Sequence, residues 1–159
     1  MTDIRPRSLT ASINIAASRE AVWRVVADVR RTGEWSPECV SVTPIGRLRA
    51  GSFLLGRNRR GRIRWVTLSR VTECEPAAAI AWTVLTNRSR WRYELQTDAN
   101  GTTVIETRRT PRGESRFALW FTRVFLEGQA VHDDELESGM AAGLGRIKRI
   151  VESVPTVGP

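Results

Sequence analysis

Residues 131–154 read VHDDELESGMAAGLGRIKRIVESV. Leu136, Met140, Gly143, Leu144, Ile147, Val151 and Val154 recur at helical spacing, so the stretch predicts one long amphipathic helix with a single apolar stripe. Asp133, Asp134, Glu135 and Glu137 crowd its start, and Arg146, Lys148 and Arg149 its end, each sign matched to the helix dipole. Gly139, Gly143 and Gly145 interrupt it at up to about 1 kcal/mol each relative to alanine. A packed helix carries such residues for one of two reasons. Either it approaches the sheet closely, or the missing side chains leave room for a ligand, and both readings stay open at this point.

Upstream of this helix the period is two. Candidate strands are Val40 to Ile45, Ser52 to Arg59, Ile63 to Glu75, Ala78 to Thr86, Arg90 to Thr97 and Thr102 to Thr110, preceded by Leu9 to Ala16. Turn chemistry separates them at Arg60-Gly61-Arg62, Glu75-Pro76, Asn87-Arg88 and Asn100-Gly101. These connections are too short for crossover helices, which predicts an antiparallel sheet. Between the first two strands, Ser18 offers an N-cap and Val22, Val25, Val26 and Val29 form a helical stripe ending near Asp28 to Arg31. Gly33 breaks that helix, and Trp35-Ser36-Pro37 makes a turn. A curved antiparallel sheet cannot close its own apolar face. A terminal helix laid along it can, and the space left between them is the expected site.

Alternation assigns the faces. Ile63, Trp65, Thr67, Ser69 and Val71 share one side of their strand, Ile80, Trp82 and Val84 one side of the next, and Trp91, Tyr93 and Leu95 one side of the one after. Those sides are expected to be concave. On the last strand Val104, Glu106 and Arg108 oppose Ile105 and Thr107, and phase alone does not decide which set points inward. After Pro111, the spacing of Phe117, Trp120, Phe121, Val124 and Phe125 predicts a further short helix, packed on the core in preference to serving as a lid or touching a membrane.

Composition bounds the class. The chain has 159 residues, 41% of them hydrophobic, which suits one domain over 1–159 with its core at about 9–153. MTDIRPRSLT contains no signal-peptide core, and no run of about 18 uncharged apolar residues occurs, so a cytoplasmic protein without a membrane span is expected. Cys39 and Cys74 fall at opposite ends of the strand pattern and read as two free thiols. The net charge of +8 includes a single lysine, Lys148, and Arg57, Arg59, Arg60, Arg62 and Arg64 gather around one hairpin turn. With no aromatic residue interleaved among them to stack a base, a solvated hairpin is favoured over a nucleic-acid contact.

Catalytic signals are few. His132 is the only histidine, which excludes a multi-histidine metal site, and its place beside Asp133 and Asp134 suits capping or solvent better than catalysis. Nucleophile-elbow, P-loop and dinucleotide motifs do not occur, so neither a cofactor nor a metal is expected. Glu106 and Arg108, two apart on one strand face, are the best candidates for a polar pair orienting a ligand carbonyl or hydroxyl.

The chain resembles the SRPBCC superfamily, and within it the polyketide cyclase/dehydrase-like proteins of actinobacterial type. The resemblance rests on Ala21-Val22-Trp23, Trp35-Ser36-Pro37, Gly51-Ser52-Phe53, Gly56-Arg57-Asn58, Trp65, Glu73-Cys74-Glu75-Pro76, Trp82, Trp91 to Leu95, Gly101-Thr102, and Gly139-Met140 leading to Leu144. It implies an α+β helix-grip fold, a curved seven-stranded antiparallel sheet around the C-terminal helix, enclosing an apolar cavity. It carries no universal catalytic motif and supports binding better than chemistry. A small hydrophobic molecule, whether lipid, polyketide or aromatic metabolite, is therefore the expected partner of a monomer or homodimer. Its site would be lined by Trp65, Trp82, Trp91, Tyr93, Phe121, Leu136, Gly139 and Met140, with Glu106 and Arg108 as polar anchors. The alternative is a polyketide cyclase or dehydratase in which Glu106, Tyr93 or His132 moves protons.

Overall fold

The structure, a computed structural model, describes residues 7–110 and 129–155. Strand β1 (Arg7–Ile15) leads into helix α1 (Arg19–Val26), whose first turn is capped by Ser18 accepting from the Ala21 amide at 3.2 Å. A 3-10 segment (Val29–Glu34) then delivers the chain to β2 (Cys39–Ile45). Next come β3 (Phe53–Arg60), β4 (Ile63–Glu75), β5 (Ala79–Val84), β6 (Arg90–Asp98) and β7 (Gly101–Thr110), followed by the long helix α2 (Gln129–Glu152). The expected short helix around Phe117 to Phe125, including Phe121, lies outside the described residues.

All seven strands join one antiparallel sheet in the order β1-β7-β6-β5-β4-β3-β2. Only the first connection crosses the sheet, carrying the chain through α1 from one edge to the other, while every later one is a hairpin. Bulges between Cys39 and Ser41 and between Val71 and Glu73 add the local twist that curls the sheet. Cys39 on β2 and Cys74 on β4 are free thiols.

Helix α2 divides into two halves. Leu144, Ile147 and Val151 in its C-terminal half are at most 5% exposed and share a cluster with Ile15, Val22, Val26 and Val104, so this half plugs the closed end of the sheet. Polar contacts fix it there: Lys148 Nζ donates to the Asn14 carbonyl at 2.7 Å, and Glu152 accepts from the Ala16 amide at 3.0 Å. The stripe ends at Val151, three residues earlier than its spacing suggests, because Val154 lies past the helix and is 63% exposed. Toward its N-terminus α2 stands over the strands' concave face, where Leu136 is half-buried. Among the described residues no helix is long and apolar enough to cross a membrane.

Candidate functional site

Strand register builds the site. Pairing of β5, β6 and β7 sets Trp82 opposite Trp91 and Trp91 opposite Arg108, and in the neighbouring row Ile80 opposite Tyr93 and Tyr93 opposite Glu106. All of these side chains take the concave face, so two parallel rows run across it, one ending on a guanidinium and the other on a carboxyl. The Arg108 guanidinium carbon stands 5.8 Å from the Trp91 ring centroid, and the Trp82 and Tyr93 rings are tilted at 5.9 Å. Thr102, Val104, Glu106, Arg108 and Thr110 are the buried set of β7, which decides the phase that alternation alone left undecided.

Between this face and α2 lies a cleft of about 440 Å³, within the usual range for small-molecule sites. Trp65, Trp82, Trp91 and Tyr93 line it from the sheet, Leu136, Gly139 and Met140 from α2, and Glu106 and Arg108 from β7. Nine of the expected residues are thus brought together. Phe121 falls outside the described residues, as does the side chain of His132 on the first turn of α2.

Other lining residues were not legible as such. Trp35, only 3% exposed, folds under α2 from an aperiodic turn, and Cys39 follows it. Asn58 enters from β3, where it shares the phase of Leu54 and Gly56, and its Nδ2 donates to Thr67 Oγ1 at 3.2 Å. That phase was the available signal. Gly56 makes the pair possible, since a Cβ there would sit 2.5 Å from Thr67 Oγ1.

The glycines of α2 answer the question they raised. A Cβ on Gly139 would lie 2.9 Å from Pro37 Cγ, and one on Gly143 would lie 3.0 Å from the Trp35 carbonyl oxygen. The same carbonyl accepts from Arg146 at 3.0 Å. Close approach is therefore the reason for both, and the neighbour is the Trp35–Pro37 turn, not the sheet. Both glycines still face the cleft, but they hold its wall together.

Electrostatics single out one group. Tyr93 Oη donates to Glu106 Oε1 at 2.9 Å, and Glu106 is 5% exposed. Burial pushes the Glu106 carboxyl up to about 7 despite the opposing effect of the Tyr93 hydrogen bond. The Tyr93 phenol is raised well above its ordinary value, first by burial and then by the Glu106 charge. The Trp35 indole N–H is buried without a well-aligned hydrogen bond, although it lies near enough to the Tyr93 hydroxyl to moderate that rise. Burial also lifts the Cys39 thiol to about 11, which keeps it protonated and unreactive. The cleft thus presents aromatic walls, one carboxyl poised near neutrality and a few fixed hydrogen-bonding groups. Among the described residues no three His, Cys, Asp or Glu side chains gather as a metal site.

Residues 6–152 match the sequence model of a family described as polyketide cyclase/dehydrase and lipid transport. No curated protein matches the chain. Among solved structures it is similar to the Polyketide_cyc-like protein Cgl2372 from Corynebacterium glutamicum, at 28% identity over 91% of both chains with a TM-score of 0.61. It also resembles the Zhui aromatase/cyclase from Streptomyces sp. R1128, at 20% identity over 97% of this chain and 99% of that one, TM-score 0.71. A third neighbour is Ara h 8.0201, at 11% identity over 94% of this chain and 99% of that one, TM-score 0.66. The last two likenesses concern the fold alone.

Proposed function

The chain belongs to the polyketide cyclase/dehydrase and lipid transport family, and from that premise together with the cleft we propose that it binds one small hydrophobic molecule between the sheet and α2. The observation that carries this reading is the shared concave face of four aromatic rings over a cleft of about 440 Å³, with Tyr93, Glu106 and Arg108 among its polar lining groups. An apolar or aromatic body stacks on Trp65, Trp82 and Trp91, while a hydroxyl or carbonyl reaches the Glu106 row. Near neutral pH the Glu106 carboxyl is present in both states, donating to a carbonyl when protonated and accepting from a hydroxyl when ionised.

That same poise favours a second reading, a cyclase or dehydratase. A buried carboxyl titrating near 7 is suited to take a proton from one carbon of a held poly-β-keto chain and return one to its oxygen, and Tyr93 orients it.

Native mass spectrometry of the protein purified from its source or host cells tests the binding reading. The expected spectrum contains, beside the bare chain, an adduct of one small apolar molecule that organic extraction removes. A bare chain that also retains no member of an added set of lipids, phenols and polyketides contradicts it.

A further inference from the structure

The outer face of the sheet at β3, β4 and β5 serves no purpose in the cleft. Residues 53–72 hold six arginines and no carboxylate. Cross-strand pairing places Arg57 opposite Val66, Arg59 opposite Arg64, Phe53 opposite Arg70 and Leu55 opposite Leu68, and the Leu85 amide bonds to the Leu68 carbonyl beside them. Val66 is 60% exposed, Leu85 46%, Phe53 39% and Leu68 38%, so an apolar outcrop stands among exposed guanidinium groups. Among the described residues Arg57, Arg59, Arg64 and Arg70 pair with no carboxylate.

We propose that this face docks on an anionic lipid surface. Arginines complement phosphate head groups, and aliphatic tips between them enter the acyl boundary, a combination that retains a protein at a charged interface. The three strands are interior to the sheet, so their backbone offers no free edge and a partner meets side chains only. Aliphatic groups, with Phe53 the lone ring, disfavour single-stranded nucleic acid, which stacks its bases on aromatic platforms.

Cosedimentation of the full chain with vesicles tests the docking. The expected result is pelleting with phosphatidylcholine vesicles that contain phosphatidylglycerol, and none with phosphatidylcholine alone. Arg57→Gln with Arg64→Gln should reduce the partition by about tenfold or more. Val66→Ser with Leu85→Ser should reduce it by about tenfold as well, and both variants should keep the parent's melting curve because the sites are exposed. Pelleting that ignores the Val66 and Leu85 changes, or tighter binding to polyaspartate or duplex DNA than to the anionic vesicles, overturns the proposal, as does failure to pellet. A parent chain that fails to pellet while its cleft still binds refutes the docking alone, and one that pellets as expected while its cleft binds nothing refutes the ligand reading alone.

Discussion

Glu106→Gln should remove most of the pH dependence of folding stability between about 4.5 and about 7. Across that window the native chain holds a proton on Glu106 that the unfolded chain has released, because burial raises the folded-state value from 4.5 to about 7. A group raised in this way contributes fully below the unfolded value and loses its contribution as pH rises through the folded one. Wild-type stability therefore falls with rising pH, by as much as about 3 kcal/mol for a shift of this size. Glutamine is neutral throughout and its carbonyl still accepts from Tyr93, so the variant should match wild type in acid and exceed it by about that amount at about pH 8. Urea unfolding at both pH values measures the difference. Parallel pH profiles for the two proteins would mean that the carboxyl is hydrated in the native state.

Ile147→Ala should cost about 2–5 kcal/mol, whereas Leu136→Ala, eleven residues earlier on α2, should cost less than about 1 kcal/mol. Ile147 is 0% exposed and sits in the cluster that plugs the sheet, so its truncation leaves a void among packed side chains. Leu136 is half-buried and faces a cleft that is already open, so little is lost there. Denaturant midpoints at a shared slope give both values. Equal losses would show that the cleft end is packed as tightly as the closed end.

Much of this arrangement was legible because period two leaves one decision per strand. Once Trp65, Trp82, Trp91 and Tyr93 fall in phase with their aliphatic neighbours, all point the same way, and hairpin-length turns bring them together. Strand β7 resisted the same treatment: its two faces each mix polar and apolar residues, and only pairing with Tyr93 assigns Glu106 inward. Trp35 lay in a turn without periodicity, where no pattern marks a buried ring. The helix glycines announced an exception to propensity but not its cause, since Pro37 and the Trp35 carbonyl are about a hundred residues away in sequence. Tertiary approach of that kind has no local signature.

Whether the concave aromatic face is a ligand site is read from its indole N–H resonances during titration with a neutral bicyclic phenol such as 2-naphthol. Among the described residues four tryptophans, Trp35, Trp65, Trp82 and Trp91, line the cleft, and Trp23 on α1 does not. Saturable shifts of those four indole signals with Trp23 unmoved are the predicted result. Unchanged spectra at saturating phenol, or shifts centred on Trp23, would contradict it.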